Sequence, residues 1–476
     1  MAPHRNDEAD RGGRSKEDVH VLNSNKGQLL HRSLIDVPHF VKSASGIDLH
    51  LDNGETVIDA CGGAAVAILG HGNEEVHAAI IKQLHQVSYV HTQAYTTSVA
   101  EELADVILKG NPYGLEKAFF VSSGSEAVDS AMKLARQYHF ERNDSQRLHL
   151  VSRKQSYHGN TIGAMSLSGN VSRKIPYQGF GYAHVSHVNP PYAYRYQRPR
   201  ETELEFTKRL LMELEEEFLR LGPQTIVAFI AETVIGATAG CVPPPSGYFR
   251  GVREICDKYG ILLILDEIMC GTGRTGTYFA FEQEDVVPDI VTAAKGLGGG
   301  YAAIAGIYIH KKIIDQLRLG SNAFVHGHTY QAHPVSCAAA LAVQRILRRD
   351  GLVERCKIMG ELLGQKLRKE LRDCKFVGDI RGRGLFWAVE FVKDQNEGTK
   401  EPFDPSVKFG YKVQEAAFQL GVAVYPGAGT IDGLKGDHML LAPPFTVTED
   451  QLGRICQVVR EAIEDQGPVY EEWERE

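Results

Sequence analysis

Short apolar runs alternate with amphipathic helical patterns through the middle of the chain. Each run is rich in Val, Ile or Phe and is bounded by Gly, Pro or polar residues, which is typical of buried strands. The runs are Ala118–Ser122, Leu148–Ser152, Thr225–Ala231, Ile261–Leu265, Asp289–Ala293 and Ala305–Ile309. Helical patterns such as Ser125–Phe140 and Tyr248–Tyr259 lie between them. This alternation predicts an α/β fold with a mostly parallel central sheet that helices cover on both faces.

A second region follows a long helical pattern at His333–Arg349. It mixes helices and strands, so it is predicted to form a smaller α+β domain. The alternating segment Gly46–Asp59 is expected to pair with this domain. A chain of 476 residues is also too long for one compact core of ordinary size. The predicted parts are a disordered N-terminal tail (1–28), a segment that packs with the small domain (29–85), a large domain (86–345) and a small C-terminal domain (346–476).

The composition narrows the classes of partner. The formal net charge is −8, with acidic and basic residues interspersed, whereas a nucleic-acid-binding protein needs a basic face. The eight cysteines form no CxxC pair, which favours reduced thiols over a zinc or disulfide framework. No apolar run reaches the roughly 18–20 residues of a membrane span, and the N-terminus lacks the apolar core of a signal peptide. We therefore expect a cytoplasmic protein with no metal, no nucleic-acid partner and no membrane partner.

A stretch of small residues, Ser122–Ala127, follows the first of the predicted strands and opens a helix. Small residues let backbone N–H groups approach an anion closely, and a helix N-terminus adds unpaired donors and a favourable dipole. The stretch therefore predicts a phosphate-binding turn. The alternative is an ordinary capping box, with Ser122 or Ser123 as the cap and Glu126 completing it.

Three further residues follow predicted strands, at the sheet edge where α/β proteins bind ligands. Asp266 comes directly after buried aliphatic residues, where a carboxylate is costly unless it is paired, for example with a pyridinium nitrogen. Lys295 precedes a glycine run, and a desolvated lysine can act as an amine nucleophile. Tyr157 offers a ring that a flat heteroaromatic ligand can stack on. The alternatives are a solvated carboxylate, a surface lysine and a core tyrosine.

These motifs occur together and in a fixed order. Because of this ordered set, the chain resembles the class III (ω-) aminotransferases, which are pyridoxal-phosphate (PLP) enzymes of fold type I. The resemblance extends from about Leu34 to Glu464. It rests on Leu69–Gly72, Ser123–Ala127, Tyr157–Gly159, Asp266–Ile268, Gly273–Gly276, Ala294–Gly296, Gly327–Tyr330 and Arg383–Leu385. The implied cofactor is pyridoxal 5'-phosphate, and the implied assembly is a homodimer.

The resemblance also implies a role for each matching residue. Lys295 forms the internal aldimine and moves the proton between the substrate carbon and the cofactor. Asp266 pairs with the pyridine nitrogen, and Glu232 faces the cofactor and the substrate. Thr329 reaches the phosphate of the neighbouring subunit. The other implied cofactor-binding residues are Ser123, Gly124 and Ser125 at the phosphate, Tyr157 and Ile268 on the two faces of the ring, and His158.

Two positions depart from relatives that act on substrates with an additional carboxylate. Asn160 and Leu440 stand where such relatives carry arginine, and a carboxylate without its guanidinium loses a strong contact. Leu440 is instead expected to offer apolar surface, which argues against ornithine, acetylornithine or 4-aminobutyrate as the main donor. Lys435 or His438 could bind the acceptor carboxylate.

The predicted reaction is a ping-pong transfer from a primary amine or ω-amino compound to an α-keto acid, with pyruvate favoured. A decarboxylase, an aminomutase or a phospho-lyase would share all of these motifs, because the orientation of the substrate decides which bond breaks.

Overall fold

The computed structural model describes residues 28–473. Except for its last residue, the predicted N-terminal tail 1–28 lies outside this range. None of the helices within 28–473 combines the length and the apolar character that crossing a membrane requires.

Strands are numbered here in chain order. They are β1 (Val41–Ser45), β2 (Asp48–Leu51), β3 (Thr56–Asp59), β4 (Leu115–Val121), β5 (His149–Arg153), β6 (Val185–Val188), β7 (Ile226–Glu232), β8 (Leu262–Asp266), β9 (Ile290–Ala293), β10 (Ala305–His310), β11 (Val377–Arg383), β12 (Phe386–Phe391), β13 (Val422–Ala423), β14 (Tyr425–Ala428) and β15 (Asp437–Leu441).

Helices are numbered in the same way. They are α1 (Gly62–Ala65), α2 (Glu74–Gln86), α3 (Ser98–Leu108), α4 (Gly124–Phe140), α5 (Ile162–Leu167), α6 (Ala193–Tyr196), α7 (Glu203–Leu221), α8 (Tyr248–Tyr259), α9 (Lys311–Leu319), α10 (Pro334–Arg349), α11 (Leu352–Glu370), α12 (Phe409–Gln419) and α13 (Glu449–Trp473). Short 3₁₀ turns occur at Ser172–Tyr177, Pro223–Thr225, Ala280–Gln283, Lys295–Leu297 and Gln395–Glu397.

The central sheet has seven strands in the order β4-β10-β9-β8-β7-β5-β6. Strands β6, β5, β7, β8 and β9 run parallel to one another, and β10 is antiparallel to both of its neighbours, β4 and β9. Alternate residues of β8 face opposite layers, since Leu262 and Ile264 pack with α4 whereas Leu263 and Leu265 pack with α7 and α8. The prediction of a mostly parallel sheet with helices on both faces is therefore confirmed.

Two smaller sheets flank the central one. Strands β11, β12, β15 and β14 form an antiparallel sheet near the C-terminus. Strands β1 to β3 form an antiparallel meander, and β13 extends it by pairing in parallel with β3, with Val422 opposite Ile58. The N-terminal strands thus share a sheet with a strand from the C-terminal part of the chain. The proposed domain limits, 29–85, 86–345 and 346–476, stay predictions.

Most differences between the predicted and observed elements lie at their ends. The helical sequence pattern near Ser406–Leu420 predicts a longer helix than α12, which begins only at Phe409, because Lys408 adopts a left-handed backbone conformation at its N-cap. Strand β6 was not predicted, since its sequence, Val-Ser-His-Val, contains only two apolar residues. Strand β10 has the same apolar signal as the parallel strands of the sheet, so the sequence did not indicate that it runs in the opposite direction.

The packing of α11 against the turn before β12 leaves no space for a side chain at Gly360. A Cβ atom at this position would overlap the backbone of Gly384. We expect Gly360→Ala to destabilise the fold by about 1–3 kcal/mol, because overpacking a rigid contact shifts the backbone. The measurement is the thermal unfolding midpoint of the purified protein.

Gly453, in helix α13, provides the matched control. A Cβ atom there would have no neighbour within 4 Å. Gly453→Ala should therefore raise stability by about 0.5–1 kcal/mol, since alanine is the better helix former. A similar change in the unfolding midpoint for both variants would contradict the proposed clash.

Candidate active site

The carboxyl ends of β7, β8 and β9 bring the predicted catalytic residues together. Glu232 pairs in register with Asp266, and Asp266 pairs with Thr292, three residues before Lys295. These ends border a cavity of about 1470 Å³. The cavity wall includes Ser123, Gly124, Ser125, Tyr157, His158, Glu232, Asp266, Ile268 and Lys295. Thr329 is exposed and is not part of this wall.

Asp266 is buried at the end of β8, with 3% of its surface exposed. Its Oδ2 lies 2.8 Å from Nδ1 of His158, and its Oδ1 accepts the N–H of Ile268 at 3.0 Å. His158 is itself fixed through its backbone N–H, which donates to Oγ of Ser168 at 2.8 Å. Each carboxylate oxygen keeps a further lone pair. The carboxylate is therefore held in place and can still accept a hydrogen bond from a ligand in the cavity.

The turn before α4 forms the capping box that the sequence suggested and leaves two backbone donors free. Ser123 caps the helix and accepts the N–H of Glu126, while the Glu126 carboxylate accepts the N–H groups of Ser122 and Ser123 at 2.9 Å. Within residues 28–473, the N–H groups of Gly124 and Ser125 have no hydrogen-bond partner. The capping box thus orders the turn and leaves two adjacent donors at the helix N-terminus for an anion.

The segment after β5 closes against this turn. The Ser125 hydroxyl donates to Oδ1 of Asn160 at 2.8 Å and accepts the Asn160 N–H at 2.9 Å. Gly159 has a positive φ of 137°, and a Cβ atom there would lie 2.5 Å from Oγ of Ser125 and 2.9 Å from Cβ of Ala164. Asn160 therefore supports the anion-binding turn.

Ile268 reaches the same turn from the end of β8. A Cβ atom on Gly124 would lie 2.9 Å from Cδ1 of Ile268, so a larger residue there would displace the end of this side chain. An apolar side chain thus borders the phosphate-binding turn beside Asp266, in a position to cover one face of a flat ligand.

Glu232 connects two parts of the cavity wall. Its Oε1 accepts the backbone N–H of Tyr157 at 3.1 Å, and its Oε2 accepts the N–H of Gly236 at 2.7 Å. Burial raises the pKa of this carboxyl. Glu232 therefore fixes the backbone of Tyr157 and the start of the loop that follows β7.

Lys295 lies at the end of β9 with a positive φ of 44°, which is unusual for a residue with a side chain. Such a conformation costs of order 1–3 kcal/mol and tends to occur at functional sites. Burial lowers the pKa of the Lys295 amine, against the opposing effect of the Asp266 and Glu232 carboxylates. A lysine in this setting has a larger share of the neutral, nucleophilic form than a solvated lysine does.

The three other residues considered for substrate binding lie elsewhere. Leu440 is fully buried with Phe386 and Ala388 in the core behind the cavity wall, so the expectation that it offers apolar surface to the substrate is wrong. His438 uses both ring nitrogens, at 2.6 Å from Oγ1 of Thr430 and 3.1 Å from the Ala237 carbonyl. Burial lowers its pKa to about 4, so the ring is neutral near pH 7. Lys435 is exposed and outside the cavity wall.

The loop after β7 is a part of the site that the sequence did not reveal. Ala237 and Thr238 line the cavity. The buried guanidinium of Arg381, on β11, donates to the carbonyls of Ala239 and Gly240 and so ties this loop to the C-terminal sheet. These contacts join distant segments through backbone carbonyls, which leave no recognisable pattern in a sequence.

Comparisons with known proteins agree with this geometry. The family model described as Aminotransferase class-III matches residues 31–463. An uncharacterised aminotransferase of Schizosaccharomyces pombe is 47% identical over 92% of this chain and 95% of its own length. Gamma aminobutyrate transaminase 3 of Solanum lycopersicum is 33% identical over 90% of this chain and 81% of its own length.

Solved structures show the same similarity. A transaminase from the marine bacterium Virgibacillus has a TM-score of 0.86 and 32% identity, and the match covers 95% of this chain and all of that one. An amine transaminase from an uncultivated Pseudomonas species, solved in its PLP-bound form, has a TM-score of 0.86 and 30% identity. That match covers 92% of this chain and 99% of the other. The prediction of a class III aminotransferase of PLP fold type I is confirmed.

Asp437, at the start of β15, provides a pH-dependent test of the cavity wall. It lines the cavity, and burial raises the pKa of its carboxyl from 3.8 to about 6. The folded state therefore binds this proton more tightly than the unfolded state, and stability falls as the pH rises from about 4 to about 6. Asp437→Asn keeps an acceptor for the Gly410 N–H and removes the charge.

As the pH rises through that window, the free energy of unfolding of the variant should increase relative to that of the wild type, by at most about 3 kcal/mol. Above the window the difference should be constant. Thermal unfolding midpoints of both proteins between pH 4 and 8 measure the effect. Parallel profiles would show that the Asp437 carboxyl is not perturbed.

Proposed function

This chain belongs to the class III aminotransferases, and we propose that it transfers an amino group from a primary amine or ω-amino compound to an α-keto acid, with pyruvate favoured. The main support for this proposal is that three features of a transaminase site occur together. A buried carboxylate, an anion-binding helix N-terminus and a lysine with a lowered pKa border a single cavity. A transaminase needs all three, because it must hold a charged cofactor, keep the cofactor ring protonated and move a proton beside it.

The residues of the cavity fit pyridoxal phosphate. The unpaired N–H groups of Gly124 and Ser125 suit a phosphate, and the fixed Asp266 carboxylate suits a protonated pyridine nitrogen. Pyridoxal phosphate supplies an electron sink that stabilises negative charge on the substrate carbon once a proton has left it. We propose that Gly124 and Ser125 bind the phosphate and that Tyr157 and Ile268 bracket the ring.

The remaining residues position these groups and move the proton. His158 holds the Asp266 carboxylate, and Ser123 caps the turn that presents the phosphate donors. Glu232 fixes Tyr157 through its backbone. We propose that the Lys295 amine takes the proton from the substrate carbon and returns it, because its lowered pKa suits both steps.

The proposal for the substrate rests on Asn160. Its side chain is an uncharged amide bonded to Ser125, so it provides no cation for a carboxylate of the amine donor. We therefore propose amines without such a carboxylate as the better donors. A relative named as a gamma-aminobutyrate transaminase makes 4-aminobutyrate the most informative comparison substrate.

We also propose that two chains form a homodimer in which Thr329 serves the site of the neighbouring subunit. Thr329 and Tyr330 are exposed in the single chain, and Tyr330 exposes 58% of its surface. Eight buried, unpaired cysteines support a reducing compartment such as the cytosol as the place of action.

Lys295→Ala should abolish transamination, because it removes the amine that is proposed to take the proton from the substrate carbon. The measurement follows the cofactor absorbance after addition of an amine donor and then of pyruvate. Donors should include 1-phenylethylamine, ornithine and 4-aminobutyrate, and the first should react fastest.

Lys82→Ala is the matched control, since Lys82 is an exposed lysine on α2. Full activity of Lys295→Ala would refute the assignment. Faster reaction of ornithine or 4-aminobutyrate would refute the substrate proposal alone. Regeneration of the aldehyde form without an acceptor would indicate a lyase or a decarboxylase.

Complementation between subunits tests the role of Thr329. Thr329→Ala should weaken PLP binding about 10-fold, which corresponds to one hydrogen bond to a charged group. Lys295→Ala and Thr329→Ala chains, co-expressed with different affinity tags, form mixed dimers. In these dimers one site combines the native Lys295 with native Thr329 of the partner subunit, so wild-type affinity should return at half of the sites. No recovery would show that Thr329 serves its own subunit.

A further inference from the structure

An α-keto acid acceptor carries a carboxylate, so a site for it needs a cation beside the cofactor. The residues that the sequence suggested do not provide one. Asn160 is bonded to Ser125, and His438 is neutral and turned into the protein. Lys435 lies outside the cavity wall.

Arg173 is a cation of the cavity wall that lies beside Tyr157. It lines the cavity, and its guanidinium carbon lies 5.0 Å from the centroid of the Tyr157 ring. Tyr157 is held through its backbone by Glu232, which pairs in register with Asp266. Arg173 is therefore in contact with the side chain proposed to stack on the cofactor.

The turn that carries Arg173 is anchored on both sides of this residue. Oδ1 of Asn170 accepts the Ser172 hydroxyl at 2.9 Å and the Arg173 N–H at 3.3 Å. The Lys174 amine donates to the carbonyls of Ser166 and Ser168 at 3.3 and 3.0 Å. The backbone of Arg173 is thus fixed relative to the end of α5.

The guanidinium itself is not committed to another group. Among residues 28–473, Arg173 makes no ion pair and its side chain makes no hydrogen bond. Stacking on a tyrosine orients the planar guanidinium while its N–H groups stay available. An arginine held in this way is ready to bind a carboxylate with two parallel hydrogen bonds.

The other cations of the cavity wall, apart from Lys295, are Arg32, Lys408 and Lys412. Lys408 and Lys412 lie at the start of α12, and Arg32 lies in the N-terminal segment. In the described part of the chain, none of them makes an observed contact with Tyr157, Asp266 or the anion-binding turn. Arg173 is distinguished from them by its contact with Tyr157.

We propose that Arg173 binds the carboxylate of the α-keto acid acceptor and of the α-amino acid formed from it. This inference rests on the proposed function, because it assigns the acceptor site of that reaction. Amine donors without a carboxylate do not need Arg173. The residue therefore acts in one half of the reaction and leaves the other half unaffected.

Arg173→Gln in the full-length, PLP-loaded enzyme tests the assignment. The KM for pyruvate should rise about 10- to 100-fold, as expected for the loss of a charged hydrogen-bonded contact. In single-turnover experiments with alanine, the rate at which the cofactor absorbance decreases should fall to a similar extent. The corresponding rate with 1-phenylethylamine should stay within about 2-fold of that of the wild type. Arg173→Lys keeps the charge without the paired geometry and should fall between the two proteins.

Lys435→Gln is the matched control, since it removes one positive charge from a nearby exposed position outside the cavity wall. It should leave the KM for pyruvate unchanged. An equal loss in Lys435→Gln would show that general electrostatic attraction is responsible and would overturn the assignment. The dissociation constant of PLP, measured separately, should be unchanged in Arg173→Gln. A large increase would show that Arg173 binds the cofactor phosphate instead.

The same measurements distinguish a failure of the Arg173 assignment from a failure of the proposed function. If the wild type transfers nitrogen to pyruvate and Arg173→Gln keeps its KM, the assignment of Arg173 fails and the proposed function stands. If the wild type transfers nitrogen from no amine, the proposed function fails. If Arg173→Gln does not fold, the comparison of Arg173→Lys with the wild type decides, and an unchanged KM in that variant overturns the assignment.

Discussion

Asp266 is a carboxylate buried at the end of a strand whose other residues are aliphatic. Burial of an isolated charge is costly, so the surrounding structure must pair it. His158 and the backbone of Ile268 each provide one contact, and Ser168 in turn fixes the backbone of His158. The contacts that the Asp266 carboxylate makes therefore fix both the segment after β5 and the turn after β8. Both of these carry side chains proposed to bracket the cofactor ring.

The anion-binding turn shows a second physical requirement with a functional consequence. A helix start leaves unpaired N–H groups that must find acceptors or water. The capping box of Ser123 and Glu126 satisfies the outer N–H groups and those of Gly124 and Ser125 stay unpaired. The sequence suggested a cap and a phosphate site as alternatives. The structure shows the cap, and the proposed phosphate site is compatible with it, because the two arrangements use different N–H groups of the same turn.

Much of this fold was predictable from the sequence. The apolar runs predict the central sheet, because fully buried strands have a strong apolar signal. Asp266 and Lys295 are recognisable in the sequence because they are charged residues at the ends of such runs. The direction of β10 and the existence of β6 were not predictable from such runs. The expectation for Leu440 is wrong for a related reason, since resemblance to a family motif gives a position along a strand but does not show which face of that strand borders the cavity. The contacts of Arg381 and Arg173 depend on segments far apart in the chain, and no local pattern indicates them.

The central claim is that Lys295 carries the cofactor of an aminotransferase. Reduction of the purified PLP-loaded protein with borohydride, followed by proteolysis and mass spectrometry, tests it most directly. If Lys295 binds the cofactor, we expect a single pyridoxyl-phosphate adduct, on the peptide that contains Lys295. An adduct on a different lysine, or none on a protein that binds the cofactor stoichiometrically, would contradict it.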